Sequence, residues 1–273
     1  MNEGDRYYGY YTMASYLRVQ PTAVSARGFT DGAEHRQPLP PVYNQYSLMT
    51  EDNGFPAAWD DHQMIYRPLF TTSFVLDDYL DDNEFFGAGT VVVGSASSKT
   101  GFGLAWLLHK RRDVKVVGLT SPGNREFVES MGIYDQVLTY SEVESLEQTS
   151  TAYVDMSGNR EVLARLHHHL GDNIVCSCGV GITHYEATGG EDPSTLPGAS
   201  PTMFFAPSQI EKRNKDWGPE KFQAELAAAW QGFLGEVDNW VNIEHPQGSD
   251  GLVETYRTVL AGASPDRAYV VTL

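Results

Sequence analysis

The sequence predicts an α/β fold, a doubly wound parallel sheet preceded by an irregular β-rich segment. Three observations lead there. From Thr90 onward, near-continuous apolar runs alternate with helical segments, the pattern of parallel strands covered on both faces. Residues 90–103, Thr-Val-Val-Val-Gly-Ser-Ala-Ser-Ser-Lys-Thr-Gly-Phe-Gly, carry a strand through a loop of small residues straight into an apolar helix. The candidate strands number six, the count of a widespread doubly wound order.

Taken along the chain, residues 1–70 are rich in Tyr, Pro and Gly, and Pro38, Pro40 and Pro41 oppose helix there. The segment reads as irregular β or loop, with short extended pieces such as Ser15–Val19. Phe74–Leu80 follows as a short helix with Thr72 or Ser73 as its cap. Asp77, Asp78, Asp81 and Asp82 read as a solvated acidic face. The strands are then Thr90–Val93, Val114–Leu119, Gln136–Thr139, Ala152–Met156, Asn173–Val180 and Thr202–Phe205. Between them fall the helices Gly101–Arg111, Asn124–Met131 and Asn159–Leu170 and a short turn near Ile210. Gly218-Pro219 opens a long helix to about Val237, with proline at the first position, where no N–H is needed. A second helix, Gly251–Leu260, comes next. The strand-like tail Ala268–Leu273 must pair somewhere, and it is expected to return to the N-terminal region.

The bulk numbers exclude some partners. Among 273 residues, 36 acids face 19 bases, a net charge of −17, and no basic cluster exceeds Lys110-Arg111-Arg112. Neither a nucleic acid nor an anionic membrane fits that balance. Cys176 and Cys178 lie two apart in an apolar run; on a strand they face the same way, too close along one chain for an ordinary disulfide. A reducing compartment, no secretory signal pattern and no apolar run of membrane length together predict a cytoplasmic protein.

The strand–turn–helix at Thr90–Gly103 is where nucleotide-binding α/β domains hold a pyrophosphate on backbone N–H groups at a helix N-terminus. Gly94, Gly101 and Gly103 do not spell G-x-G-x-x-G, and Ser98 and Lys99 stand where glycine usually does. Lys99-Thr100 lacks the preceding glycine of a P-loop. The residues placed on a pyrophosphate are Ser97, Ser98, Lys99, Thr100 and Gly101, with Lys99 pointing either away from the pocket or at the phosphate. The second strand ends without a carboxylate and offers Thr120, Ser121, Asn124 and Arg125. A 2′-hydroxyl is normally held by Asp or Glu here and a 2′-phosphate by Arg or hydroxyls, so NADP(H) is preferred over NAD(H). Arg125 has a second reading, as a surface residue paired with Glu129 at i+4. His184, with Glu186, follows the fifth strand's carboxyl end and is assigned to cofactor or substrate.

His167-His168-His169 precede Gly171 and do not share a helix face, so they read as a basic helix end. Cys176, Cys178 and His184 lack a fourth ligand for zinc, and no metal is expected. No G-x-S-x-G is present.

Several strings resemble the medium-chain dehydrogenase/reductase superfamily, its quinone-oxidoreductase-like branch. Gly4-Asp5-Arg6-Tyr7-Tyr8-Gly9 is similar to the G-D-R-V-x-G turn of its GroES-like catalytic domain. Leu69–Ser73 followed by Phe86–Val93 is similar to the approach to its first Rossmann strand. Val117–Gly132 resembles its second strand and helix, and Tyr153–Gly158 its fourth strand. Within it, Ser95–Thr100, His35–Tyr46, Arg67–Phe74 and Phe204–Ile210 are closest to the uncharacterised domain of unknown function 2855 family.

The resemblance implies a Rossmann dinucleotide-binding domain over residues 86–263 with C-terminal helices. It also implies a partial GroES-like catalytic domain over residues 1–85, joined by strand 264–273. The G-D-R turn begins at residue 4, so the chain looks like the family without the front half of its catalytic domain, and it lacks the zinc-ligand pattern of the alcohol dehydrogenases. Thr71-Thr72 is implied near the nicotinamide end. Tyr7, Tyr10, Tyr43, Tyr46, His35 and Arg67 come from the substrate side; of all these, Tyr46, Arg67 and Thr72 are the residues assigned to catalysis. A Tyr hydroxyl or His protonates after hydride delivery, and Arg67 holds a carboxylate or polarises a carbonyl. The implied activity is NADP(H)-dependent hydride transfer to a carbonyl or activated alkene of a small molecule. The alternatives are an inactive Rossmann-like binding module and a lyase on the same scaffold. A homodimer through the Rossmann sheet edge, near Asn173–Val180 and Thr202–Phe205, is also implied.

Overall fold

Thr90–Gly94 (β5) is Thr-Val-Val-Val-Gly with every residue buried, as β-branched side chains require when both faces of a strand are covered. In this computed structural model, which describes residues 1–111, 113–182, 184 and 190–273, β5 lies inside a six-stranded sheet. Its neighbours are Lys115–Thr120 (β6) and Thr151–Asp155 (β8). Gln136–Thr139 (β7) lies outside β6; Ile174–Gly179 (β9) and Thr202–Met203 (β10) lie outside β8. The order is β10-β9-β8-β5-β6-β7 and every pairing is parallel. The doubly wound sheet read from the sequence is therefore present, with β10 at its edge.

The chain divides into two compact units. The second holds this sheet and comprises residues 68–242 and 262–268. Its helices are Lys99–Arg111 (α2), Arg125–Ser130 (α3), Arg160–Leu170 (α4), Ala206–Trp217 (α5) and Pro219–Val237 (α6). Val92, Val117, Leu119, Leu138 and Tyr153 of the sheet pack with Val162, Leu163 and Leu166 of α4 in one apolar core. Elsewhere in the unit Phe70, Phe102, Trp106, Trp230 and Trp240 surround Phe233.

The first unit comprises residues 1–67, 243–261 and 269–273. Its antiparallel sheet has the order β1-β4-β3-β2, from Tyr7–Tyr8 (β1), Pro21–Ser25 (β2), Gly28–Asp31 (β3) and Gln45–Leu48 (β4). The strand there falls at β2 rather than at Ser15–Val19. Gly248–Leu260 (α7) also belongs to this unit.

Five further expectations are corrected in whole or in part. The helix read as Phe74–Leu80 is Asp60–Asp82 (α1), 23 residues with Pro68 inside it. Thr72 and Ser73 are interior residues, not caps: their hydroxyls donate to the carbonyls of Pro68 and Leu69, one turn back. The acidic face is solvated only in part: Asp81 and Asp82 are exposed, but Asp77 and Asp78 are buried and paired with Arg111 and Arg213. The turn near Ile210 is the 12-residue α5, whose polar sequence hides its period. The tail from Tyr269 to Leu273 does belong to the unit of residues 1–67, as expected, but the terminal strand, Arg267–Tyr269 (β12), pairs with Asn242–Glu244 (β11) rather than with the N-terminal sheet. Both of those pieces flank α7, so the pairing closes the chain locally across one helix.

The three histidines at the end of α4 diverge. His167 is fully buried, Nδ1 against Pro197 O at 2.8 Å and Nε2 against Ser177 Oγ at 2.9 Å. His168 meets Glu191 and His169 meets Leu146 O. Burial, with the neighbouring His168, pulls the His167 pKa below its ordinary 6.5, while the Pro197 carbonyl opposes this. The unfolded chain therefore takes up a proton first, and stability present above about pH 6.5 is lost as pH falls toward the lower folded value. Urea unfolding at pH 7.5 and 5.5 is expected to show a steeper loss for the native chain than for His167→Gln. Parallel losses would show that His167 is not the group that titrates.

Candidate functional site

After β5 the chain builds β6 and β7 on one side and then crosses to β8, β9 and β10 on the other. The strand order reverses between β5 and β8, and open α/β sheets bind ligands at the carboxyl ends of strands beside such a reversal. The loop from β5 to α2 lies there.

Its geometry follows from a few bonds. Ser95 takes a left-handed φ of 55°, Ala96 N donates to Leu119 O at 2.9 Å, and Ser98 N to Ser95 O at 2.8 Å. The Ser98 hydroxyl accepts the Gly101 N–H at 3.1 Å, the role of a helix N-cap. An α-helix gives its first N–H groups no internal partner, which leaves those of Lys99 and Thr100 directed out of the helix end. A Cβ on Gly101 would lie 2.8 Å from both Ser95 O and Ser98 Oγ, so the turn closes only around glycine. Gly94 is held just as tightly, a Cβ there meeting Tyr153 Oη at 2.7 Å.

The end of β6 is knitted to this loop. Ser97 Oγ accepts from Asn124 Nδ2 at 3.1 Å and from the buried Thr120 hydroxyl at 3.5 Å. Ser121 precedes the short turn Pro122–Asn124. Lys99, read as pointing either away from the pocket or at a phosphate, donates its ammonium to Arg267 O at 3.0 Å. Burial lowers its pKa, opposed by Asp266. The Thr100 carbonyl accepts from Ser73 Oγ at 2.8 Å. Arg125 makes the pair with Glu129 at 2.8 Å and a second pair with Glu142 at 3.0 Å.

His184 is brought to the same edge. Its N–H donates to Ser157 O at 2.8 Å, its Nδ1 lies 3.4 Å from Asn159 Nδ2, and its ring meets that of Tyr140 edge-on at 5.4 Å. Glu186 and Arg112 lie outside the described residues.

Sequence reasoning missed the residues around His184. Tyr140 is hydrogen-bonded to Ser95, and burial pushes its phenol up to about 12. Asp155 accepts from Ser157 N, Ser157 Oγ and Gly158 N, which shapes the loop after β8. Their position at strand carboxyl ends was the available signal. Glu142 was signalled by Thr-x-x-Glu at Thr139, a capping box that the structure contains.

The residues assigned to catalysis fall in different units. Tyr46, in the first, is buried; its ring stacks on Phe29 at 4.9 Å and its hydroxyl donates to Tyr10 O at 3.1 Å. Burial pushes its phenol up. The Arg67 guanidinium lies 4.6 Å from the Tyr8 ring centre and 4.7 Å from that of Phe55. Burial lowers its pKa, and the Tyr8 and Tyr10 phenols oppose this. Tyr10 packs on Tyr43 at 5.2 Å, Tyr7 packs on Phe29 at 5.1 Å, and His35 sits in the short turn Glu34–Arg36. Thr72 belongs to the second unit, its hydroxyl donating to Pro68 O.

Cys176 and Cys178 are free and buried, and burial pushes their thiols up to about 11 and about 12. Buried strand thiols of this kind pack as small apolar groups. Among the described residues no three His, Cys, Asp or Glu side chains converge to hold a metal ion, and no helix is long and apolar enough to cross a membrane.

Residues 1–265 match the family described as Protein of unknown function (DUF2855). No curated protein matches the sequence. In fold the chain is similar to CurA from Vibrio vulnificus in complex with NADPH: 15% identity, 83% of this chain and 68% of that one, TM-score 0.56. It is similar also to the CurK enoyl reductase: 14% identity, 74% of this chain and 60% of that one, TM-score 0.51. The yhdH oxidoreductase from Salmonella enterica in complex with NADP matches at 18% identity over 84% of this chain, TM-score 0.48. This chain spans 66% of the length of that enzyme.

Proposed function

The chain belongs to the DUF2855 family, and from that premise we propose that it is an NADP(H)-dependent oxidoreductase acting on a carbonyl or activated alkene of a small organic molecule. The observation that carries the reading is the Ser95–Gly101 turn at the reversal between β5 and β8, capped by Ser98 and opening two first-turn N–H groups. CurA, whose fold this chain shares, was crystallised with NADPH.

The residues fit the cofactor's polar half. Lys99 and Thr100 N–H groups and the Ser97 hydroxyl would hold the pyrophosphate, and Thr120, Ser121 and Arg125 would face the adenosine ribose. Gly101 lets the turn that presents those groups close on Ser95 O and Ser98 Oγ. Bound there, the dinucleotide supplies or accepts a hydride. His184, which meets the Tyr140 ring edge-on at 5.4 Å, is the residue after β9 assigned to the cofactor. Arg67, whose guanidinium lies against the Tyr8 and Phe55 rings, is the cation assigned to a substrate carbonyl or carboxylate. Tyr46 and Thr72 are the further residues assigned to catalysis, a Tyr hydroxyl being the proton donor that follows hydride delivery.

A second reading is a Rossmann-like module that binds nucleotide without redox chemistry. The Lys99 amine engaged by Arg267 O and the already satisfied Tyr46 and Thr72 hydroxyls favour it.

Titration with NADPH and NADH, followed by thermal unfolding, tests both. A ligand that binds only the folded state stabilises it by about 2.7 kcal/mol at a hundredfold excess over Kd. A saturable rise in Tm, larger with NADPH, is expected. Flat curves for a folded protein would defeat both readings. Stabilisation without NADPH oxidation across a panel of enones and quinones would select the binding module.

A further inference from the structure

The dinucleotide reading assigns Arg125 to a 2′-phosphate, but the structure gives this guanidinium two carboxylates. Arg125 Nε donates to Glu129 Oε1 at 2.8 Å, and Nη1 donates to Glu142 at 3.0 and 3.2 Å. Glu129 is the helical neighbour of Arg125, an ordinary exposed pair of small worth. Glu142 is different. It arrives from the turn after β7, 17 residues away, and its Oε2 also accepts the Thr139 N–H at 2.8 Å and the Thr139 hydroxyl at 2.9 Å. The capping box immobilises the carboxylate before any ligand arrives. Both ionisations are reinforced: bonds from Thr139 and Arg125 hold Glu142 below its ordinary range, and Glu129 and Glu142 hold Arg125 above its own.

A 2′-phosphate therefore meets a guanidinium with Nε and Nη1 already used, accompanied by two negative charges. It must displace a fixed carboxylate or accept repulsion from it. A 2′-hydroxyl carries no charge, and an acidic acceptor at a strand end suits it. We propose that Glu142 is the residue that sets the dinucleotide preference of this pocket, restraining Arg125 and lowering discrimination in favour of NADPH. This rests on the dinucleotide reading above. It changes the expectation from Arg125 alone: the preference for NADPH is held down by design of the turn, and both cofactors bind within a modest ratio.

The test is the ratio of NADH to NADPH dissociation constants, measured by fluorescence titration of the full chain and of Glu142→Gln and Glu129→Gln. Glutamine at 142 keeps an acceptor for the Thr139 N–H and removes the charge. One unit charge removed beside a phosphate at a solvated surface raises the ratio about tenfold toward NADPH. Glu129→Gln, which leaves the capping box intact, shifts it the same way by a smaller factor and serves if the first variant does not fold. A ratio within about twofold of the native value in both variants, with both nucleotides still bound, overturns the assignment to Glu142 alone. Binding of neither nucleotide to the native chain overturns the dinucleotide reading and this inference together.

Discussion

Phe233→Ala is expected to lower the unfolding free energy by about 3–5 kcal/mol, the usual cost of removing a buried aromatic ring and leaving its cavity. The site has no slack to collapse. Phe233 is 1% exposed and stacks on Phe70 of α1 at 4.5 Å between ring centres. Phe102 and Trp106 of α2 meet it at 6.3 and 5.7 Å, Trp230 at 6.2 Å and Trp240 at 6.3 Å. Offset and edge-on rings add to the area buried, so truncation loses both. The cluster fixes α2 from behind, and the N-terminus of α2 carries the Ser98–Gly101 turn. Chemical denaturation of the variant checks the loss. A change below about 1 kcal/mol would mean that the neighbouring rings refill the space.

Arg213→Met is expected to cost about 3–5 kcal/mol, for a different reason: it leaves a buried carboxylate without its cation. Arg213 Nε lies 2.6 Å from Asp78 Oδ2, its Nη2 lies 2.9 Å from Asp82, and the guanidinium covers the Trp217 ring at 4.6 Å. Asp78 is 5% exposed, with Gln209 Nε2 donating to it at 2.6 Å. Removing only the cation strands that charge. The double variant Asp78→Asn/Arg213→Met is expected to recover more than half of the loss, because an amide needs no counter-ion and keeps acceptor and donor for Gln209. A double variant as unstable as the sum of the single ones would show that the two side chains do not act as a pair.

Both predictions concern positions whose importance the sequence carried unequally. Phe233 lies in a helix whose start at Pro219 and end at Val237 were legible, since Gly-Pro marks the first turn and an apolar run follows. Asp78 read as solvated because four aspartates within six residues resemble a surface, and nothing nearby named a partner. Its partner lies 135 residues on, in α5, a helix too polar to show its period. Thr72 and Ser73 misled in the same way: hydroxyl residues favour caps, but those mid-helix bond the carbonyl one turn back.

The candidate site was legible to a similar depth. Ser97, Ser98, Thr100, Gly101, Thr120 and Ser121 follow from one strand–turn–helix and one strand end, and the structure gathers them in the second unit. Lys99 and Arg125 were given two directions each, and sequence had no means to choose. The structure engages Lys99 with Arg267 O, and Arg125 with its helical neighbour Glu129 and also with Glu142; Arg267 and Glu142 come from distant stretches of chain.

The sequence by itself determined the strands of the parallel sheet and most helices between them, the tight turn after β5 and the family, because β-branched runs, small-residue loops and capping residues act within a few positions of themselves. Only the tertiary structure decided which aspartates are buried, where Lys99 and Arg125 direct their charges and which segment receives the last strand. Those outcomes depend on which distant groups the fold brings within about 3 Å, and hydrogen bonds and ion pairs form over that distance regardless of separation along the chain.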